Sequence, residues 1–449
     1  MPVTASAATG TLTEALASRS TPLRVGLIGA GKFGTMFLSQ ARRLEGLHLL
    51  GIADLMPERA RANLAQVDWP IEQYGAASPA EARDRGTTFV TDDAAALIAA
   101  DGLDLIVEAT GNPLVGVRHT LQAFDHGLHV VNVNVEADVL AGPALAARAA
   151  AVDRVYTLAY GDQPALICEL VEWARVSGFE VVSAGKGTKY LPIYHTSTPE
   201  TVWDHYGIDA ETAARDGMNP QMFNSFLDGT KSAIEMAAVA NATGLTPQSA
   251  GLGFPPCGTD DLQRQLIPRA DGGVLEHAGT VEVISCLERD GSPVPRDLRW
   301  GVYVVVAAPN EYVSRCFASY GMPSDPSGRY AAMYRPYHLV GLELAVSVLK
   351  AGLRSEATGV ATGFHGDVVA AAKRDLKPNE VLDGEGGSTV HGLLRPAAAA
   401  RTAGALPMGL AHGLALARPV AAGCVLCYDD VQLDESDPAI ALRRRMELA

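Results

Sequence analysis

Three glycines at fixed spacing, Gly29, Gly31 and Gly34, constrain this chain more than any other feature. They follow a short apolar segment, Leu23–Ile28, that has the pattern of a strand, and they open a segment, Lys32–Leu44, with the apolar spacing of a helix. The first glycine permits a tight turn, the second lets the backbone approach a ligand, and the third lets helix and strand pack closely. The sequence therefore predicts a strand–turn–helix unit that binds an anion at the start of its helix.

An acidic residue at the right distance extends this motif to a dinucleotide-binding fingerprint. Asp54 lies twenty residues after Gly34, at the end of a second predicted strand, Leu47–Ala53. A carboxylate there accepts hydrogen bonds from the adenosine ribose hydroxyls and repels a 2′-phosphate, so the sequence favours NAD over NADP. Arg59 and Arg61 lie near enough in sequence to bind a 2′-phosphate, so NADP stays open.

Predicted strands and helices alternate throughout residues 23–160, which indicates a parallel sheet and a Rossmann domain. A later predicted strand, Leu103–Glu108, ends at the same edge of that sheet as the glycine turn. We expect further cofactor contacts from the helix start and from the residues after this strand, on the nicotinamide side: Lys32, Phe33, Ala109, Thr110 and Gly111.

The remaining length requires further domains, because 449 residues exceed a single hydrophobic core. Residues 161–355 have a mixed α/β pattern and are predicted to form a catalytic and dimerisation domain. Residues 356–449 consist of short apolar runs broken by Gly and Pro, which predicts a small β-rich module. Residues 1–22 are small and polar and are predicted to be a disordered tail.

Charge and hydropathy narrow the possible partners. The formal net charge of -15 disfavours nucleic acid and anionic membranes, and no apolar stretch approaches the length of a membrane span. The six cysteines are irregularly spaced, and the N-terminus lacks the pattern of a signal peptide. We expect a cytoplasmic protein that binds a small anionic substrate through a local cluster of Lys and Arg.

The segment Phe226–Gly244 provides the first candidates for chemistry. On one continuous helix, Asp228, Lys231 and Glu235 fall within about 60° of each other. The following turns are nearly all apolar, which indicates a buried helix, and buried charges need a polar cleft, a ligand or each other. The alternative is an exposed Lys–Glu pair on a helix surface.

Two more segments carry candidate substrate ligands. Lys186 follows an apolar strand between two glycines, where it is placed to bind a phosphate or carry a proton, although a solvated turn lysine has the same pattern. Arg335 is suited to capture a phosphate or carboxylate, and His338 to donate to a substrate oxygen. Glu136 and Asp162 follow predicted strands and are candidate ligands for a divalent metal ion.

As a set, these segments resemble a known group of oxidoreductases. The motifs "GLIGAGKFGT", "VEATGNPLVG", "EVVSAGKGTKY", "DGTKSAIEMAAVANATGL" and "YRPYHLVGLE" are similar to those of homoserine-dehydrogenase-like enzymes, and more closely to the DXR-like (type II) 1-deoxy-D-xylulose 5-phosphate reductoisomerases. The C-terminal stretch resembles a SAF module. Together these segments span residues 24–432, nearly the whole chain.

The resemblance implies a homo-oligomeric enzyme in which Lys186, Asp228, Lys231 and Glu235 surround a sugar substrate held by a divalent ion. It also implies that Arg335 and His338 bind the substrate phosphate. Two departures stand out: the reductoisomerase prefers NADPH whereas Asp54 favours NAD, and homoserine dehydrogenases carry a lysine where this chain has Glu136.

The sequence thus predicts an NAD(P)-dependent oxidoreductase, reductoisomerase-like, acting on a small hydroxy or keto compound such as a phosphorylated or branched sugar derivative. Two alternatives remain open at this point. One is a homoserine dehydrogenase, and the other is a non-catalytic protein that senses a cofactor through its SAF module.

Overall fold

The computed structural model describes residues 10–215 and 217–448, which divide into two compact units. The first comprises the chain up to Ala165 together with Leu339–Val360, and the second comprises Leu166–His338 and the chain from Ala361 onward. This division differs from the three expected domains, since the C-terminal module shares one compact unit with the middle of the chain.

The strands are β1 Leu23–Ile28, β2 Leu47–Ala53, β3 Phe89–Thr91, β4 Leu105–Glu108, β5 His129–Asn132, β6 Tyr156–Leu158, β7 Glu180–Thr188, β8 Thr280–Ser285, β9 Val302–Ala307, β10 Tyr330–Arg335, β11 Gly366–Ala372, β12 Val381–Asp383, β13 Val390–Pro396 and β14 His412–Ala415. The α-helices are α1 Leu12–Ala17, α2 Lys32–Ala41, α3 Pro57–Gln66, α4 Pro79–Arg85, α5 Ala94–Ile98, α6 Pro113–Asp125, α7 Val135–Ala151, α8 Gln163–Val176, α9 Val202–Tyr206, α10 Ala210–Arg215, α11 Pro220–Leu227, α12 Thr230–Thr243, α13 Leu262–Gln265, α14 Glu311–Ser319, α15 Ala345–Arg354, α16 Ala397–Thr402 and α17 Pro438–Leu448.

The first unit contains a parallel sheet of order β3-β2-β1-β4-β5-β6. This is the strand order of a doubly wound dinucleotide-binding fold: from β1 the chain first adds strands on one side and then, from β4 onward, on the other. The predicted Rossmann-like domain is therefore confirmed. Its strands are mostly apolar, with a few polar residues such as Arg24, His48 and Glu108, as expected for a sheet covered by helices on both faces. The late helix α15 belongs to this unit, and Val348 shares one buried cluster with Leu23 and Leu105.

The N-terminal segment differs from the expected tail. Residues 1–9 lie outside the described residues, but α1 is a helix with a capping box at Thr11, and Leu16 is buried in the core of the first unit. The prediction of disorder up to residue 22 is therefore wrong for α1, because two buried side chains in a mostly polar segment are enough to dock one short helix.

The second unit is built on a mixed sheet of order β10-β9-β7-β8, in which only β7 and β8 run parallel. One face carries a buried cluster that includes Tyr303, Val305 and Leu266. Helix α12 packs against the other face and also against the C-terminal pair β11–β13. A second two-stranded pair, β12–β14, completes the small β-rich region. No helix in the described part of the chain is long and apolar enough to cross a bilayer.

Candidate functional site

The glycine turn has the geometry that its sequence predicts. Gly29 has φ +94°, and a Cβ there would lie 2.5 Å from the carbonyl oxygen of Ala109. A Cβ on Gly34 would lie 2.6 Å from the carbonyl oxygen of Gly29, so neither position tolerates a side chain. Around Gly31, which caps α2, no heavy atom lies within 4 Å of the Cβ position. The turn is therefore closed toward the protein and open at the start of the helix, as a diphosphate cradle requires.

Asp54 is tied directly to this turn. The side chain is 6 % exposed; Oδ2 accepts a hydrogen bond from Ala30 N at 2.9 Å, and Oδ1 accepts one from Met56 N at 2.9 Å. The guanidinium of Arg59 donates to both carboxylate oxygens, at 2.8 and 3.0 Å. A carboxylate and a half-exposed arginine thus stand together at the end of β2.

The residues after β4 lie at the same strand edge. Ala109 N donates to the carbonyl of Ile28 at the end of β1, which places residues 109–111 beside the glycine turn. The preceding Glu108 is fully buried, with Oε1 3.3 Å from His119 Nδ1. Asn134 at the start of α7 donates to the carbonyl of Asn112 at 2.9 Å. The cofactor residues expected from sequence are thus gathered along one edge of the first sheet.

In the second unit, Lys186 and Glu235 form a buried ion pair between Nζ and Oε2. Lys186 lies on β7 and is 6 % exposed, and Glu235 on α12 is 4 % exposed. This burial excludes the alternative of an exposed Lys–Glu pair or a solvated turn lysine at these two positions. A buried lysine with a carboxylate partner can hold or pass a proton at Nζ.

The sheet register places Arg335 on the same face as Lys186. Lys186 lies opposite Val302 across the antiparallel β7–β9 pair, and Val302 lies opposite Arg335 across the antiparallel β9–β10 pair. Side chains of directly opposed residues point to the same face, so the two cationic residues share the face that α12 packs against.

Asp228 is not placed as the sequence predicted. It caps the end of α11, and Gly229 with φ +89° separates it from α12, so it does not share a helical face with Lys231 and Glu235. Its Oδ1 accepts from Thr230 N at 2.9 Å, and its Oδ2 lies 2.7 Å from Lys373 Nζ. Burial raises the pKa of Asp228, and the Lys373 ammonium opposes that rise. Lys231 is in the first turn of α12 and is half-buried.

Sequence reasoning missed Lys373, His195 and His391, which surround Asp228. His195 Nδ1 lies 2.7 Å from the Asp228 carbonyl oxygen and Nε2 lies 3.0 Å from Tyr190 Oη. The His391 ring is 4.7 Å from that of His195, and burial lowers the pKa of His391 to about 3. These residues come from distant parts of the chain, and the resemblance of the C-terminal stretch to a SAF module gave Lys373 no role, so no local signal could have identified them.

A small pocket opens beside His195. Its lining is mostly apolar and comes from the turn before α12, the loop before β8 and strand β13: Gly229, Ala233, Leu252, Phe254, Gly392 and Leu394. The phenyl ring of Phe254 stacks on Tyr190 with ring centroids 4.0 Å apart, which fixes one wall.

The two residues expected to bind a phosphate already have contacts. His338 Nδ1 lies 2.7 Å from the carbonyl oxygen of Trp300, and the Arg335 guanidinium lies 5.6 Å from the ring centroid of Tyr337. The predicted metal ligands lie on α7 (Glu136) and in the turn before α8 (Asp162). Across residues 10–215 and 217–448, no group of three or more His, Cys, Asp and Glu side chains is arranged to hold a metal ion.

Residues 161–344 match the family described as "Oxidoreductase DRL, catalytic domain". No curated protein sequence matches the chain.

Solved structures with a similar fold include a homoserine dehydrogenase from Thiobacillus denitrificans, with 16% identity, 74% of each chain covered and a TM-score of 0.43. A probable dehydrogenase from Thermotoga maritima has 13% identity and a TM-score of 0.37, with 76% of this chain and 91% of that chain covered. For a biliverdin reductase from Synechocystis the identity is 19% and the TM-score 0.26, with 38% of this chain covered, and the match spans only about half of that protein, 48%.

The chain thus combines a unit with the strand order of dinucleotide-binding folds and a segment similar to an oxidoreductase catalytic domain.

Proposed function

We propose that this protein is a reductoisomerase-like NAD(P)-dependent enzyme that acts on a small hydroxy or keto compound, a phosphorylated or branched sugar derivative. The observation that carries the proposal is the buried Lys186–Glu235 pair on a sheet face within the segment that matches an oxidoreductase catalytic domain. Burying two charges is costly, and a pair retained at such a position has a natural use in proton transfer.

The residues of the glycine turn fit a dinucleotide. The open space at Gly31 admits a diphosphate to the backbone N–H groups at the start of α2, and Asp54 stands at the end of β2, where the ribose hydroxyls of a dinucleotide are bound. When bound, the nicotinamide supplies or accepts a hydride.

The chain's own chemistry is the handling of a proton at the substrate oxygen. Lys186 Nζ donates a hydrogen bond to a carbonyl oxygen and delivers a proton as that oxygen gains negative charge, or takes one from a hydroxyl in the reverse direction. Glu235 holds the ammonium in place and compensates its charge. Arg335, on the same face, attracts an anionic substrate.

We also propose a preference for NAD over NADP, because the Asp54 carboxylate repels a 2′-phosphate. Arg59, which is 2.8 Å from Asp54 Oδ1, opposes this repulsion. Asp54→Asn removes the negative charge and frees Arg59, so we expect the ratio of NADPH to NADH affinity to rise. Fluorescence titration of NADH and NADPH against the wild type and Asp54→Asn measures this ratio. An unchanged ratio would contradict the assignment of the ribose site.

The decisive experiment is a substrate panel read at the nicotinamide absorbance, with phosphorylated and unphosphorylated ketoses, polyols, sugar acids and homoserine. We expect turnover with a sugar derivative. If homoserine is the only compound turned over, the proposed substrate class is wrong. If neither NADH nor NADPH binds, the assignment as an enzyme is wrong. Light scattering on the same preparation tests the proposed homo-oligomer, and assays with and without a chelator test the proposed divalent ion.

A further inference from the structure

Two cationic side chains lie just beyond the end of β7. Lys189 follows the strand by one residue, and its ammonium donates to the carbonyl of His205 and lies 5.1 Å from the ring centroid of Tyr206. Arg299 lies in the loop before β9. Within the described ranges, 10–215 and 217–448, neither cation forms an ion pair with a carboxylate. On a chain with a net charge of -15, such a cluster is unusual.

The two cations are close enough to influence each other. Burial lowers the pKa of Lys189, and the positive charge of Arg299 lowers it further. The nearest acid in sequence, Asp297, uses Oδ1 to accept from the Arg299 backbone N at 2.8 Å. Two neighbouring positive charges that repel each other are stabilised by an anion that contacts both.

An exposed aromatic ring adjoins the cations. The indole of Trp300 is 60 % exposed, and the Arg299 guanidinium lies 4.7 Å from its ring centroid. This stacking orients the guanidinium and leaves the rest of the indole face available to solvent. The exposed indole therefore offers a flat apolar surface next to the two cations.

The cluster adjoins the strand that carries Lys186. Gly187 N donates to the Gly301 carbonyl at 3.1 Å, and a Cβ on Gly187 would lie 2.0 Å from the carbonyl oxygen of Leu298. The loop that carries Arg299 and Trp300 is therefore packed against the residue that follows Lys186.

We propose that Lys189 and Arg299 form the phosphate subsite of the second unit, with Trp300 as the surface on which the carbon chain of a phosphorylated substrate lies. The inference rests on the proposed function for its substrate class. It assigns the substrate phosphate to these residues in place of Arg335 and His338, and the comparison of Arg335→Gln with Arg299→Gln below decides between the two assignments.

The test measures the binding of inorganic phosphate and of glycerol 3-phosphate to the full chain by calorimetry. We expect a Kd of about 1 mM or tighter for glycerol 3-phosphate and no binding of glycerol. Arg299→Gln should weaken phosphate binding by about tenfold or more. The matched control is Arg264→Gln, which removes the same charge from an exposed arginine of the same unit. Trp300→Phe should abolish ligand-induced quenching of tryptophan fluorescence.

Three results would overturn the subsite: no phosphate binding by the wild type, equal binding by Arg299→Gln and Arg264→Gln, or loss of binding in Arg335→Gln but not in Arg299→Gln. Lys189→Met provides a second variant should Arg299→Gln lower the melting temperature. NADH titration of the same preparations separates the two proposals, since loss of cofactor binding contradicts the proposed function whereas loss of phosphate binding alone contradicts only the subsite.

Discussion

Replacing Lys373 by Met tests whether the C-terminal region is integral to the second unit. Lys373 is almost fully buried, and its ammonium lies 2.7 Å from Asp228 Oδ2 and also donates to the carbonyls of Ser197 and Gly387, at 2.7 and 2.6 Å. The variant leaves Asp228 buried without its counter-charge and removes one hydrogen bond from each of the two carbonyls, which keep Asn224 Nδ2 as a donor, at 3.0 Å to Ser197 O and 3.5 Å to Gly387 O.

Breaking a buried ion pair by removing one partner costs about 3–5 kcal/mol. For a unit of this size 1 kcal/mol corresponds to about 2 °C, so we expect the melting temperature of the second unit to fall by roughly 6–10 °C. Differential scanning calorimetry measures the change. Lys377→Met, an exposed lysine four residues further on, is the matched control and should shift the transition little.

The effect should depend on pH in a defined direction. The pKa of Asp228 is already raised by burial, and loss of the Lys373 charge raises it further. Between the unfolded pKa of about 3.9 and the folded pKa, the native state binds more protons than the unfolded state, so stability falls as pH rises. The loss of stability in Lys373→Met should therefore be larger at high pH than at low pH. Adding Asp228→Asn to the same chain should remove this dependence on pH. Equal melting temperatures for Lys373→Met and Lys377→Met would refute the reasoning.

Three further outcomes follow from the geometry. Gly31→Ala should leave the melting temperature unchanged but weaken NADH binding in a fluorescence titration, since a Cβ there meets no protein atom, whereas Gly34→Ala should cost about 1–3 kcal/mol because its Cβ would meet a carbonyl at 2.6 Å. Glu235→Gln keeps an acceptor for Lys186 but removes its counter-charge, so we expect a lower melting temperature. Steady-state assays at a temperature where the variant is folded should show kcat reduced by about 10²–10⁴, and an unchanged kcat would make the pair structural. Burial raises the pKa of Asp138 to about 7, so wild-type stability should fall between pH about 4 and about 7, and Asp138→Asn should remove that part of the slope in urea titrations.

The candidate cofactor site of the first unit could be predicted because the residues that mark it are close together in the sequence. The spacing of Gly29, Gly31 and Gly34 follows from sterics within one strand–turn–helix unit, and the alternation of strands and helices predicts a parallel sheet. The alternation alone does not give the strand order β3-β2-β1-β4-β5-β6. Asp54 was found for the same reason, since it ends the neighbouring parallel strand. The sequence could not show that Arg59 would pair with it, because two arginines, Arg59 and Arg61, follow within one helix.

The candidate site of the second unit could be predicted only in part, because its ion pairs join residues that are far apart in the sequence. Helical periodicity correctly placed Glu235 on a buried face, but it could not show that Gly229 ends one helix before the next begins, which moves Asp228 off that face. Its partner, Lys373, lies 145 residues later, in the stretch that resembles a SAF module, where nothing in the sequence connects it with Asp228. A buried charge requires a counter-charge, but the position of that partner is set only by the tertiary fold.

Deletion of the C-terminal region would not show by itself what that region does. A separable module could be removed without effect on the catalytic region, but Lys373 supplies the counter-charge of Asp228, and Gly392 N donates to the hydroxyl of Thr230 at the start of α12. Deleting residues from 360 onward would therefore expose a buried carboxylate next to the helix that carries Glu235. A truncated protein could lose activity only because the contacts of Lys373 and Gly392 are missing, so the result would not distinguish an enzyme from a sensor. The single substitution Lys373→Met, with Asp228→Asn as its compensating partner, separates folding from function in a way that the deletion cannot.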